Sequence, residues 1–356
     1  MLMCQKKIFF YNRWLFLLLA VWILAACQKV ASGSELNAPT PATSSASIQS
    51  PSKDPLMVTV IPSTTDGLRS TSSLAPSPTV EPTIIRNPLP TITIGPPPTL
   101  LPDEWKSLPV IPTVSQRARL IYQLGLLMGN DPHAFSKIGD CQSVTVYFLG
   151  HFDKPDLYNL GPYSSLQDTI DWYSGSFSRD SLAVKGGFNA AAILSPLRSE
   201  PSQCYANENP VACELRVQRP SVAIISLEEW WTGHPENYEK YMRQIIEYTI
   251  SQGVVPILAT KASNLEGNHL INQTIANLAR EYDVPLWNFW AAVQDLPNHG
   301  LAQVDVYGQV DLFHLTHSEN FYIFGDPSIE PSGWSVRNLT ALQALDSVRR
   351  GLSQQP

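Results

Sequence analysis

No aromatic side chain occurs in residues 28–104, a stretch that also carries fourteen of the chain's 30 prolines. Proline interleaved with serine and threonine, without aromatics, cannot bury enough apolar surface to offset the entropy of ordering the chain. The stretch is therefore excluded from a packed core and is expected to be an extended, disordered tether. A basic cluster is also missing, and the formal net charge is -7 over 356 residues. Both argue against nucleic acid as a partner. Cysteine is scarce, five in all, and no spacing among them matches a zinc pattern, so neither a metal nor a cofactor is expected. The N-terminal apolar run, residues 14–26, is too short for a membrane-spanning helix.

What the N-terminus does carry is positive charge at Lys6, Lys7 and Arg13, then the apolar run, then small residues before Cys27. That order reads as a signal peptide. The ending Leu24-Ala25-Ala26-Cys27 resembles a bacterial lipobox. The resemblance implies cleavage before Cys27, acyl chains on its sulfur and amine, and a durable attachment to the membrane from outside, since more than one chain anchors far better than one. An ordinary signal peptide with an incidental cysteine is the plainer alternative. The expected organisation is a signal peptide over 1–26, a lipidated Cys27 with its linker over 27–104, and a folded domain over 105–356. Of the remaining cysteines, Cys204 and Cys213 flank a loop rich in proline, asparagine and glutamate and are expected to pair in an oxidising compartment. Cys141 is left as the odd thiol.

From about Trp105 onward, short apolar runs alternate with helical patterns. This predicts one α/β domain, a three-layer α/β/α sandwich on a mostly parallel, flavodoxin-like sheet. Strands are expected at 222–225, 254–259 and 285–289, and helices at 235–252, 269–282 and 339–352. In open sheets of this kind ligands bind beyond the carboxyl ends of the strands. Gly139-Asp140-Cys141 and the residues after Ile225 both fall at such ends.

Lys137-Ile138-Gly139-Asp140-Cys141 resembles the Gly-Asp-Ser opening of the SGNH (GDSL-type) hydrolases, with sulfur in place of the nucleophilic oxygen. Asp311-Leu312-Phe313-His314 is similar to their Asp-x-x-His block. Between them, Val184-Lys185-Gly186-Gly187-Phe188-Asn189 looks like the block in which a glycine amide binds the oxyanion. The segments Leu286-Trp287-Asn288-Phe289-Trp290 and Leu296-Pro297-Asn298-His299-Gly300 look like the stretch preceding the histidine block in exported bacterial members. The resemblance spans most of residues 133–317. It implies that Cys141 is the nucleophile, His314 the base, Asp311 the group orienting it, and the amides of Cys141 and Gly187 the oxyanion donors. Asp140, Asn189 and His299 would line the substrate site.

Two departures from the pattern bear on activity. A thiol beside an imidazole ionises more readily than a hydroxyl, which suits thioesters and activated acyl groups, but its sulfur is larger than the oxygen it replaces. The family's Gly-x-Asn-Asp segment is here Glu228-Glu229-Trp230-Trp231, which puts Trp230 where an asparagine would donate to the oxyanion. Two readings stand on this. One is a cell-surface esterase acting through Cys141 on O-acyl groups of glycans or on small esters. The other is a catalytically degenerate module that binds a surface glycan on Trp230 and Trp231, with Glu228 and Glu229 either lining the cleft or standing as exposed loop charges.

Overall fold

The run around Ile224 is buried along its whole length. It forms β2 (Pro220–Ser226), in which every residue is shielded from solvent, as expected of a parallel strand covered on both faces. The computed structural model describes residues 99–228, 236–304, 308 and 310–353; Cys27, the tether and the Glu229-Trp230-Trp231 segment lie outside them. β1 (Asp131–Gly139) pairs with β2 on one side, β3 (Val255–Ala259) pairs with it on the other, and β4 (Leu286–Trp287) pairs with β3. All three pairings are parallel. A single parallel bridge also joins Gly139 to Val184, and the Gly139 amide donates to the Ala183 carbonyl at 2.9 Å.

Seven α-helices surround the sheet among the described residues: α1 (Gln116–Leu127), α2 (Gln167–Trp172), α3 (Pro210–Gln218), α4 (Glu236–Ser251), α5 (Leu270–Tyr282), α6 (Phe289–Ala292) and α7 (Gly333–Ser353). They fall into two sets. α1, α2 and α6 each pack on α7, while α3 packs on α4 and α4 on α5. With the sheet this is compatible with a three-layer α/β/α arrangement.

The strands expected at 222–225 and 254–259 and the helices expected at 235–252 and 269–282 correspond to β2, β3, α4 and α5 within a few residues. The strand expected at 285–289 is cut to two residues, because Asn288 turns the chain instead. Its Oδ1 accepts from the Ala291 amide as the cap of α6, and its Nδ2 donates to the Trp105 and Leu108 carbonyls. The closing helix starts at Gly333 rather than 339, since Ser332 Oγ accepts from the Ser335 amide and caps it early. Cys204 and Cys213 form a disulfide with Cα atoms 5.3 Å apart. Cys213 lies on α3, whose first turn takes up the end of the loop expected between the two cysteines, because Asn209 caps that helix and Pro210 begins it. At the other end, Leu100 is already buried with Trp105 and Ala276, on the linker side of the boundary expected at 105.

The register matters most for function. Gly139 pairs with Ser226 at the carboxyl ends of β1 and β2, so Asp140-Cys141 and Leu227-Glu228 leave the sheet side by side.

Candidate active site

The nucleophile candidate sits on a sharp turn immediately after β1. Residues Cys141–Ser143 form one turn of 3-10 helix, and Asp140 caps it by accepting from the Gln142 amide at 2.9 Å. The second oxygen of Asp140 accepts from the Glu228 amide at 2.6 Å, which ties the ends of β1 and β2 together. Asp140 is fully buried, so this residue, expected to face substrate, is occupied with holding the turn. Gly139 is required here by space: a Cβ at this position would collide with Ser143 Oγ and the Ser226 carbonyl. Cys141 is half-buried and is not in a disulfide.

The base candidate comes from a loop far along the chain. Backbone bonds from Ala302 N to His314 O at 2.8 Å, from Asp311 N to Gln303 O at 2.9 Å and from Thr316 N to Gly300 O at 2.8 Å fold residues 300–304 against 310–316 as a short antiparallel pair. Asp311 Oδ1 accepts from the amides of Phe313 and His314, both at 2.9 Å. Its Oδ2 receives His314 Nδ1 at 2.8 Å. Burial works against ionisation of Asp311, but the two amides and the imidazole outweigh it and hold the carboxyl below its ordinary value. With Nδ1–H directed at a carboxylate, His314 Nε2 is left with its lone pair facing outward, 3.8 Å from Cys141 Sγ. The imidazole side chain is 54 % exposed and Asp311 only 8 %. Cys141, His314 and Asp311 thus line up in that order, with the imidazole open to solvent.

The second block also reaches this place. The Gly139–Val184 bridge runs the 184–187 segment past Cys141, and a Cβ built at Gly186 would stand 3.9 Å from Cys141 Cβ. Gly187 is exposed and has φ of 81°, a left-handed conformation that glycine adopts without strain. Asn189 is half-buried, and its Oδ1 accepts from the amides of Ala191 and Ala192, capping the turn that follows. His299 is exposed, with its ring Nδ1 at 3.0 Å from the Gln294 carbonyl. Trp230, Trp231 and Glu229 lie outside the described residues.

Glu228 is neither an exposed loop charge nor a cleft-lining carboxylate: it is 1 % exposed and turned into the protein. The cause is Arg337 on α7, itself wholly buried, whose Nη1 lies 2.9 Å from Glu228 Oε1 as an ion pair without aligned hydrogen-bond geometry. Arg337 Nη2 donates to Ser226 Oγ at 2.8 Å, and the guanidinium lies over the rings of Phe148, Trp287 and Phe289 at 4.9, 5.4 and 5.0 Å. Burial pushes the Glu228 carboxyl up to about 7, against the pull of Arg337 and with the help of neighbouring Asp140. Gln142 completes this group. Its Nε2 donates both to Glu228 Oε2 at 3.1 Å and to the Phe313 carbonyl at 2.8 Å. Reading the sequence missed Gln142 and Arg337. Gln142 directly follows the nucleophile candidate and could have been suspected, whereas nothing local marks Arg337, which lies 111 positions from Ser226.

A cavity of about 950 Å³ lies elsewhere, between residues 108–117 and the end of α5, lined by Leu108, Ile111, Arg117, Arg280, Tyr282 and Val284 among others. It adjoins the amino end of β4, whereas Cys141 follows the carboxyl end of β1. Cys204, Glu208 and Cys213 have ligand atoms within 4.8 Å of one another, but the two sulfurs are bonded together and Glu208 is held by Arg216 at 2.7 and 2.8 Å. In comparisons with known proteins, no family model and no curated protein matches the chain.

Proposed function

We propose that the chain is an acyl-ester or thioester hydrolase of the SGNH type that works through a cysteine nucleophile. The observation that carries the reading is the alignment of Cys141 Sγ, His314 Nε2 and Asp311 Oδ2, with 3.8 and 2.8 Å between successive partners. The fold supports it as well. Counting the Val184 bridge as a rudimentary edge strand gives the order 2-1-3-4-5 of flavodoxin-like doubly wound sheets, with Cys141 beyond a strand's carboxyl end.

In this reading the Cys141 thiol gives its proton to His314 Nε2, and the thiolate forms a bond to the acyl carbon. The tetrahedral oxyanion is met by the amides of Cys141 and Gly187. Collapse breaks the bond to the leaving group, which departs with the proton from His314, and leaves a thioester on Cys141. Water then attacks with His314 as base, releasing the carboxylic acid and regenerating the thiol. A thiolate is itself a good leaving group, so acyl groups on activated alcohols or thiols partition forward best. O-acyl groups of surface glycans and small esters are the substrate classes that fit.

The lipobox-like Leu24-Ala25-Ala26-Cys27 supports export and membrane attachment through lipid on Cys27, with the domain facing outward. Palmitate labelling checks this: the Cys27→Ala chain should incorporate none, and equal labelling removes the anchor from the proposal. Turnover of S-phenyl thioacetate and p-nitrophenyl acetate by the full chain checks the chemistry. The thioester should be preferred, and both activities should vanish in Cys141→Ala and in His314→Ala. Turnover that survives both changes would place the activity elsewhere.

A further inference from the structure

We propose that Gln142 and Glu228 are positioning residues for the Cys141–His314 pair: Glu228 holds the Gln142 amide, and that amide ties the turn bearing Cys141 to the loop bearing His314. The inference rests on the reading of Cys141 and His314 as nucleophile and base.

The geometry follows from donor chemistry. A carbonyl can only accept, so the atom of Gln142 facing Phe313 O must be the amide nitrogen. The same nitrogen reaches Glu228 Oε2. One NH₂ group thereby spans residues 171 positions apart at Phe313 and 86 apart at Glu228. Each end is one residue from the chemistry, since Gln142 follows Cys141 and Phe313 precedes His314. Glu228 is in turn fixed from three directions: its amide donates to Asp140, its Oε1 meets Arg337, and Ser226 Oγ donates to that same oxygen at 3.4 Å. Among the described residues, the charged or titratable groups around this carboxyl include Arg337 from α7, Asp140 after β1, Lys261 after β3 and Tyr238 from α4.

Stability alone does not account for the arrangement. Gln142 is fully buried, yet its Oε1 accepts no hydrogen bond from the described residues, and Arg337 Nε likewise donates none. Buried polar atoms left without partners are costly, and an apolar side chain of the same size at 142 would avoid the cost at Oε1, while taking this donor from the Phe313 carbonyl and Glu228. Local rules broken at a well-packed place point to function. What the amide does there is couple the two catalytic loops, so that the gap from sulfur to imidazole is set by a buried tether rather than by two independent surface loops. The Glu228 carboxyl stands where the SGNH pattern has a glycine, so the tether belongs to the rebuilt version of the site.

The test reads thiol–imidazole coupling without needing a substrate. Alkylation of Cys141 by iodoacetamide is followed across pH in the full chain, with the modified peptide quantified by mass spectrometry and the thermal midpoint measured alongside. Coupling to His314 gives reactivity in the acid range that a simple thiol lacks. Gln142→Met, which keeps the volume and removes both hydrogen bonds, should slow the acid-range rate by about tenfold, the effect of one pKa unit, and leave the alkaline rate within about twofold. Glu228→Ala should do the same. Glu228→Gln, which keeps an acceptor for Gln142, should retain the acid-range rate. Folded Gln142→Met with an unchanged pH profile overturns the positioning role. If Glu228→Ala or Glu228→Gln fails to fold, Gln142→Met still decides. If the unchanged chain already reacts as a simple thiol, and His314→Ala alters nothing, the Cys–His reading fails and this inference falls with it.

Discussion

The Asp311 carboxylate holds His314 with both oxygens: Oδ1 takes the loop's own amides, including that of His314, and Oδ2 takes the His314 ring. The short spacing of the two residues is what lets a single side chain both shape the loop and orient the imidazole. This division of labour makes one substitution unusually informative.

Asp311→Asn leaves an oxygen facing the two amides, because an NH₂ there would oppose two donors. The NH₂ must then face His314 Nδ1, which becomes the acceptor and moves the ring proton to Nε2, against the sulfur. Thioester turnover should drop by ~10³–10⁴, with the thermal midpoint changed little. A loss of less than about tenfold would show that the tautomer does not matter here.

Gly139→Ala brings a methyl group against the Ser226 carbonyl, which is backbone and cannot rotate away. The end of β1 must shift from β2, costing about 1–3 kcal/mol by overpacking. Urea midpoints of the two proteins measure the cost, and Cys141 alkylation should change with it. An equal midpoint would mean that the turn relaxes freely.

Lys137 is buried on β1, and its Nζ donates to Thr145 Oγ1 at 3.0 Å and the Phe177 carbonyl at 2.9 Å. Burial first, then Arg179, lowers its pKa to about 7, against Asp180, Glu214 and Asp153, which raise it. Between that value and the ordinary 10.5 the unfolded chain binds the proton and the folded one does not. Stability therefore rises with pH across this window and is flat with respect to this group below it. At ~1.4 kcal/mol per unit the contribution is at most about 5 kcal/mol. In Lys137→Met that slope should disappear, although the buried Phe177 carbonyl loses its donor at ~1–3 kcal/mol and the half-buried Thr145 hydroxyl loses one as well. Parallel pH–stability curves for the two proteins would refute the assignment.

The Cys204–Cys213 bond closes a short loop, with a sequence separation of 9. Chain-entropy arguments put its contribution at about 2–3 kcal/mol. Replacing both cysteines by serine should lower the denaturation midpoint accordingly and leave Cys141 alkylation unaltered, since the bond lies at α3. A changed Cys141 rate would instead link this loop to the site.

Local chemistry in the sequence was enough for the helices α4 and α5, whose apolar spacing is regular, and for β2, whose central run Val222-Ala223-Ile224-Ile225 is continuously apolar. Cys141 was singled out by one short motif, and Asp311 with His314 by another, through their resemblance to the SGNH blocks. Local signals failed where side chains from remote segments decide. Asn288 reads as part of a strand until Trp105 and Leu108 offer carbonyls to its amide. Glu228 reads as a surface charge until Arg337 meets it inside the protein. The 3.8 Å between Cys141 and His314, 173 positions apart, exists only because parallel pairing brings the ends of β1 and β2 together while the antiparallel pairing of 300–304 with 310–316 shapes the histidine loop. Composition and periodicity specify elements because they act within one turn or one strand, whereas the burial of a charge and the meeting of two loops depend on which elements pack against each other.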